Sequence, residues 1–565
     1  MVRNFDPWIR IRYRILLEEF GNREFTSKDV EEILKKHRKE LANVREFLGK
    51  LCKDGFLGCR EEGKRKVYWI KQLKLEEKVV ARDEIIKTMK MGADLIRGRV
   101  DYKNLLVLLF YKALSDKWLY EVSKFYSEVK DKREAYHLAN VSFYSLYDES
   151  TGKLYTWNEV TKDKVHIVKS FIEALNKIAE LNEKISDLKL LVNRLGFESF
   201  ISNEDNRHIF LDLIDIFSKL DFRNADYDVV GSAYEWILSY FAPAQAKQGE
   251  NYTPREVIRL MVELLDIEEN SDILDPALGS GAMLIEAYRY ANERYNDGRT
   301  LFLVGQEVND TVAILAKINL LLHGIENYDI QIGDSLINPK FPSADYVLTN
   351  PPWNLDGYDE RRVDREDLKS IYRYGFTPRQ SADWLWIQLI LSFSKKKAAI
   401  VLDNGALFRG GKEKRVRKEI VENDLIECII LLPEKLFYNT GAPGMIMILN
   451  KNKPDERRGK ILFINASQEY EQHPEIRKLN RLGKDHIKKI TQVYHKFQEI
   501  EGFSRIVSLD EIKENDYNLN VTLYVFPEEE IEEIDVAKEW EELQKIEDEI
   551  KWVEKKMEEY LKEVK

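Results

Sequence analysis

Asn350-Pro351-Pro352-Trp353 is the set of residues in this chain best suited to chemistry. It follows Tyr346-Val347-Leu348-Thr349, an apolar run that reads as a strand. Two prolines stop the strand and hold the backbone rigid, so the Asn350 side chain and the Pro351 carbonyl can point into one pocket. An exocyclic amine or an amide is a poor nucleophile because its lone pair is delocalised. Two acceptors that bind its two N–H groups favour a pyramidal nitrogen whose lone pair faces an electrophile. Such catalysis needs positioning and electrostatics, and no strong base. Trp353 offers a flat face for a planar target, as an extruded base requires. An asparagine capping a strand–proline turn would look the same, so a second motif has to decide.

That motif is Ile273-Leu274-Asp275-Pro276-Ala277-Leu278-Gly279-Ser280-Gly281, which joins a strand to a helix. Its glycines allow a tight turn and close approach of a ligand, and the helix start beyond presents unpaired N–H groups. It is not a dinucleotide fingerprint: the third glycine position is Leu284, and Asp275 would repel a pyrophosphate. An acid at a strand tip suits an ammonium group, which S-adenosylmethionine carries beside its sulfonium and ribose. Glu307, ending the second strand, is positioned to accept from both ribose hydroxyls. Asp334, in Ile332-Gly333-Asp334-Ser335, is positioned to accept from an adenine amino group. Gly410-Gly411-Lys412 lacks the spacing of a P-loop and has Glu413 where a hydroxyl is required, so ATP chemistry is rejected there.

These residues need elements that bring them together. From about residue 245 short β-rich runs alternate with helical ones. The runs are 272–275, 301–307, 329–332, 345–348, 398–402, 426–432 and 445–449, with helices over 282–295, 310–324, 382–396 and 413–423. That alternation predicts an α/β fold, a mostly parallel Rossmann-like sheet that binds ligands at the carboxyl ends of its strands. Residues 80–240 are helical by period, with aromatics such as Trp118, Tyr136 and Phe143 read as core filling.

Residues 1–74 hold 19 Lys+Arg against 12 Asp+Glu within a chain of net charge −11. Three helical patterns, 9–20, 27–36 and 42–53, precede two strand-like runs around Gly63, with Thr26 or Ser27 as a helix cap. This looks like a winged-helix module, with Arg45, Lys50 and Lys53 on the third helix and Lys64, Arg65 and Lys66 on the wing. The charges serve either DNA phosphates or solvent. At the other end, Leu543, Ile546, Ile550, Val553, Met557, Tyr560 and Val564 form a heptad seam in an acidic, coiled-coil-like helix that wants a partner. The expected division is 1–75, 80–240, 241–470 and 471–565, with the heptad helix over about 530–565.

At 565 residues the chain has room for several domains. Three cysteines without paired spacing exclude a disulfide framework and a zinc site, and no other metal site is expected. Charged residues fill the first turns, and no apolar run reaches the ~18–20 residues of a membrane span, so a cytoplasmic protein that engages no membrane is expected.

Asp275–Gly281 together with Asn350–Trp353 resembles the cofactor and catalytic motifs of amino-methyltransferases that use S-adenosylmethionine. Gln248-Gly249-Glu250-Asn251-Tyr252-Thr253-Pro254-Arg255 resembles the extra cofactor motif of DNA adenine methyltransferases, in the γ order. Leu407-Phe408-Arg409-Gly410-Gly411, Leu431-Leu432-Pro433, the stretch Phe437 to Pro443 and Tyr517-Asn518-Leu519-Asn520 resemble the modification subunit of type I restriction-modification systems. The likeness covers about residues 85–565; the basic 1–75 module is unusual for that family.

The resemblance implies N6-methylation of adenine in duplex DNA, with Asn350, Pro351, Pro352 and Trp353 handling the extruded base. It assigns cofactor contacts to Glu250, Asn251, Tyr252, Thr253, Pro254, Arg255, Asp275, Gly279, Ser280, Gly281, Ala282, Glu307 and Asp334. Ser280-Gly281-Ala282 departs from the family's usual residues there, and Trp353 replaces the commoner Phe while keeping a stacking face.

After Asn450 too little chain remains for a target-recognition domain of ~150–200 residues, and its end is acidic. Recognition is therefore expected on a separate specificity subunit docked on the heptad seam, with a restriction subunit as a further candidate partner. The loop from Asp356 to Arg379 carries Arg361, Arg362, Arg365, Lys369, Arg373 and Arg379 among six acids, and is a weaker candidate for DNA contact. Two alternatives stay open: an amino-methyltransferase of RNA or of protein glutamine, and a non-catalytic DNA-binding scaffold.

Overall fold

Near-continuous apolar stretches such as Ile426–Leu431 and Gly444–Asn450 are buried along their whole length, as strands at the centre of a sheet covered on both faces must be. The computed structural model describes residues 12–13, 15–16, 19–20, 23–37, 41, 43–53, 57–62, 65–70, 82–97, 99–190, 197–223, 225, 227–246, 253–295, 297–437, 440–474, 476–526, 540, 543–546, 550–553 and 556–557. They fall into two units, Met1–Ala81 and Arg82–Lys565.

In the first unit β1 (Phe25–Thr26), β2 (Leu57–Glu62) and β3 (Arg65–Ile70) form a sheet in the order β1-β3-β2, with both pairs antiparallel. Thr26 settles the cap: its hydroxyl accepts from the Asp29 N–H at 3.4 Å, and its own N–H donates to the Asp29 carboxylate at 2.7 Å. Helices Ser27–Lys36 and Val44–Lys53 bury Val30, Leu34, Phe47, Leu48 and Leu51 against Phe25 and Tyr68. Arg45, Lys50, Lys53, Arg65 and Lys66 are exposed, whereas Arg60 is held by both oxygens of Glu24. Lys64 lies outside the described residues, as do parts of the helix expected over 9–20.

The second unit begins with helices, among them Lys103–Val129, Ile167–Leu181, Glu204–Phe217 and Tyr227–Ala246, with one two-residue hairpin, β4 (Tyr147–Asp148) and β5 (Lys153–Leu154). Trp118 is buried there in the expected core-filling role, as are Trp157, Phe171 and Phe210, whereas Tyr136 and Phe143 are half-buried. Then follow β6 (Asp272–Asp275), β7 (Phe302–Glu307), β8 (Tyr328–Ile332), β9 (Ala344–Thr349), β10 (Ser394–Asp403), β11 (Ile426–Leu431), β12 (Gly444–Asn450) and β13 (Lys460–Asn465). After a small pair, β14 (Glu471–Gln472) and β15 (Asn480–Arg481), comes β16 (Ser504–Ser508).

One nine-stranded sheet has the order β16-β13-β11-β12-β10-β9-β6-β7-β8. From β10 through β8 it is parallel; β12 runs antiparallel to both its neighbours, and β16 to β13. All seven strand-like runs expected after residue 245 are present. The helix expected over 382–396 stops at Phe393, because Ser394–Lys396 already belong to β10. Strands β13 and β16 had no counterpart in the expected pattern, and β16 carries the sheet beyond residue 470. No helix among the described residues is long and apolar enough to cross a membrane.

Candidate active site

Strands β7, β6 and β9 run parallel, with β6 between the other two, so the chain's spread reverses at β6. A crevice opens beyond the carboxyl ends at such a switch point. Asp275 and Glu307 end their strands there, and Asn350 follows the last residue of β9. A cavity of about 320 Å³ lies at this edge, with Gly279, Ser280, Glu307, Asn350 and Pro352 in its wall.

The glycine turn is shaped for that cavity. Gly279 and Gly281 have φ of +53° and +79°, a region that costs other residues energy. A Cβ on Gly279 would meet no protein atom within 4 Å, so it would occupy the open space. The Gly279 N–H donates to Glu307 Oε2 at 2.9 Å, and the Asn309 N–H to Glu307 Oε1 at 2.9 Å. Each carboxylate oxygen has capacity for a further donor. At Gly281 the backbone and not space calls for glycine: a Cβ there would meet Ala316, on the helix Asp310–Leu322, at an ordinary 3.6 Å. Ser280 is tied to that helix by Asn319, whose amide donates to the Ser280 carbonyl at 2.9 Å.

Asp275 is buried and accepts from the Thr349 hydroxyl at 2.7 Å and the Ala277 N–H at 3.1 Å. Burial, helped by the charge of Glu307, pushes its pKa up to about 7 against those two donors. A cation beside it would restore its charge. It lines a smaller recess with Thr253, Gly279, Ala282 and Asn350.

At the diproline corner the Asn350 carboxamide is oriented from both ends. Its Nδ2 donates to Thr253 Oγ1 at 2.8 Å, and its Oδ1 accepts from Trp353 Nε1 at 2.9 Å. A second lone pair on Oδ1 remains for a substrate N–H. The Trp353 ring meets Phe437 edge to face, with centroids 4.8 Å apart. Gly444 gives these rings room, since a Cβ there would lie 2.7 Å from Phe437 and 3.1 Å from Trp353. Trp353 thus orients Asn350, which a Phe could not do.

The other expected cofactor residues separate. Glu250, Asn251 and Tyr252 lie outside the described residues. Thr253 reaches Asn350, and buried Pro254 caps the helix Arg255–Leu265. Arg255 turns away to Glu235, 2.6 Å from its carboxylate. Asp334 is flanked by cavity residues Gly333 and Ser335, but its Oδ2 accepts from the Tyr358 hydroxyl at 2.6 Å and Arg362 at 3.3 Å. The cations of the 356–379 loop largely find acids: Arg362 with Asp334, Arg365 with Asp367, Lys369 with Glu366 and Arg379 with Asp356.

Sequence reasoning missed Tyr102 and Tyr234, which bring the helical region into the cavity wall, and Tyr358 and Trp386 opposite. Exposed Val308, directly after Glu307, carried a local signal as an apolar residue beside an acid expected to bind a ligand. Nothing in spacing marks the tyrosines, which arrive through packing: the Tyr234 hydroxyl donates to the Leu315 carbonyl at 2.8 Å.

Comparison with known proteins gives two family matches, N-6 DNA Methylase over residues 225–533 and HsdM N-terminal domain over 87–217. The chain is 54% identical to the type I restriction enzyme MjaVII methylase subunit of Methanocaldococcus jannaschii, over 96% of this chain and 95% of that one. It is 50% identical to the MjaVIII methylase subunit of the same organism, over 97% and 96%. Among solved structures, the type I restriction-modification system methyltransferase subunit from Streptococcus thermophilus aligns with a TM-score of 0.69 at 25% identity, covering 79% of this chain and 99% of that one.

Proposed function

The chain belongs to the N-6 DNA methylase family, and within it to the methylase subunits of type I restriction enzymes; on that premise we propose how its residues carry out the reaction. The activity is N6-methylation of adenine in DNA within a type I restriction-modification system. The observation that carries the mechanistic reading is the convergence of Asp275, Glu307 and Asn350 on adjoining cavities at one sheet edge.

The donor set suits S-adenosylmethionine. Asp275 would face its ammonium, Glu307 its ribose hydroxyls, and Gly279 leaves space that a side chain would fill. When bound, S-adenosylmethionine supplies a sulfonium methyl group that passes to nitrogen while the C–S electron pair stays on sulfur.

Asn350 Oδ1 and the Pro351 carbonyl accept the two N–H groups of an adenine extruded from the duplex, turning its lone pair out of the ring plane. Thr253 and Trp353 keep the Asn350 amide from rotating as that happens. After transfer the nitrogen carries an acidic proton, which these acceptors hold until water removes it. No general base is needed. Extrusion costs a few kcal/mol, which contacts in the pocket offset.

Sequence recognition is assigned to a separate specificity subunit docked on the C-terminal helix, with a restriction subunit as a further partner. In support, Leu543, Ile546, Ile550, Val553 and Met557 are helical and about half exposed, so no described residue covers this part of the seam; Tyr560 and Val564 lie outside the described residues. The exposed cations of Met1–Ala81 add a surface for DNA phosphates in this reading. The protein then works in the cytoplasm, with its DNA.

The deciding experiment compares wild type with Asn350→Ala in the assembled complex. Methyl transfer to adenine should fall by about 10²–10³-fold or more, while S-adenosylmethionine affinity stays within a few-fold. Retained transfer would reject the assigned chemistry.

A further inference from the structure

Two of the sequence motifs, Leu407–Gly411 and Tyr517–Asn520, have no part in the reaction described so far. Both converge behind the catalytic corner. Trp353 is followed by Asn354, which has a φ of +52°, a left-handed conformation that a non-glycine residue keeps only when its surroundings hold it there.

Asn354 is held by its polar groups on three sides. Its N–H donates to Asp383 Oδ1 at 3.0 Å, its Oδ1 accepts from Arg409 Nη1 at 2.6 Å, and its Nδ2 lies 3.4 Å from Asp403 Oδ2. Arg409 links all of these. Beyond Asn354 it binds the buried carboxylate of Asp383, Asp403 at 3.2 Å, Glu413 at 2.7 Å and the Ser381 hydroxyl at 3.2 Å.

Arg409 is itself fixed from behind. Arg417, fully buried, donates to the Arg409 carbonyl at 2.9 Å and to the Tyr517 carbonyl at 2.7 Å. The Leu519 N–H donates to the Leu407 carbonyl at 3.0 Å. An arginine surrounded by three carboxylates has little attraction left for a phosphate, so its task is mechanical.

We propose that Arg409 is a positioning residue for methyl transfer: through Asn354 it holds the Asn350–Trp353 corner in the geometry that receives the target amine. The Tyr517–Asn520 motif acts by holding Arg417, and Arg417 by holding Arg409. This inference rests on the role proposed for Asn350.

Two variants test it in the full-length protein and its assembled complex. Arg409→Lys keeps the charge and loses the fork; Asn354→Gly keeps the left-handed backbone and loses both side-chain bonds. Each should slow single-turnover methyl transfer at least about tenfold. S-adenosylmethionine affinity should stay within about twofold, and the salt dependence of DNA binding should not change. In the free protein, hydrogen exchange at the Asn354 amide should quicken at least about tenfold in Arg409→Lys. Wild-type rates and unchanged exchange would overturn the proposal. So would a loss that tracks cofactor affinity, or a shallower salt slope, which would make Arg409 a phosphate contact. The exchange measurement judges this brace even if the wild-type complex methylates no adenine, a result that would fault the assigned reaction instead. If Arg409→Lys fails to fold, the Asn354→Gly rates decide.

Discussion

The Thr349 hydroxyl, at the end of β9, donates to the Asp275 carboxylate, at the end of β6, across 2.7 Å. The residue next to the asparagine proposed to hold the target amine thereby supports the acid proposed to receive the cofactor's ammonium. The two halves of the site share one hydrogen bond.

In the role proposed for it, Asp275, with its pKa at about 7, should make cofactor binding depend on pH. Only the ionised carboxylate attracts a cation, and an α-ammonium keeps its charge below its ordinary pKa of about 8, so S-adenosylmethionine should bind about fivefold tighter at pH 7 than at pH 6. Thr349→Val removes a donor that lowers this pKa, so the transition should move to higher pH. Titration calorimetry at three pH values reads both, and a flat profile in wild type would refute the assignment.

Glu235 gives the opposite sign in stability. Burial raises its pKa, but His323, Arg255 and Arg289 outweigh that and leave it at about 2. A lowered folded-state pKa contributes stability that is complete above the unfolded value, near 4.5, and is lost as pH falls toward 2. Glu235→Gln should cost about 3 kcal/mol at neutral pH. The gap to wild type should shrink as denaturant melts are repeated toward pH 3. An equal gap at pH 3 and pH 7 would show that the ion pairs are not its source.

Trp353→Phe separates the observed bond of the indole from the stacking proposed for its ring. The ring remains, but the bond to Asn350 Oδ1 is lost. A net hydrogen bond of about 1 kcal/mol predicts a rate several-fold to about tenfold lower, with cofactor affinity unchanged. An undiminished rate would leave Trp353 with stacking alone.

Charges placed in the C-terminal seam, Leu543→Asp with Ile550→Asp, should prevent co-purification with the specificity subunit. Cofactor binding by the isolated chain should be unaffected. If the doubly substituted chain still co-purifies, the dock lies elsewhere.

Much of the fold was legible because its signals are local. The run ending at Asp275, the glycine turn and the diproline corner each impose their conformation on a few neighbouring residues, and alternation of apolar runs reports strands and helices directly. Lys460–Asn465 and the edge strand Ser504–Ser508 went unread: no α-helix separates the first from Gly444–Asn450, and the second is a short antiparallel strand at the margin of the sheet. The helix end at Phe393 was misjudged because Ser394-Lys395-Lys396 carries no stop signal; pairing of β10 with β9 ends it.

The amino-acid order alone determined which groups could do the chemistry: an acid before a glycine turn, a second acid one strand later, and an asparagine locked by prolines. Only the folded molecule decided how they meet. Strand β6 lies beside β9, its partner far along the chain, and so brings Thr349 to Asp275. Side-chain direction then assigned Trp353 to Asn350, Asp334 to Tyr358 and Arg409 to Asn354. Such pairings depend on which distant backbones pack together and on the rotamers that packing permits, and no short stretch of sequence carries that information.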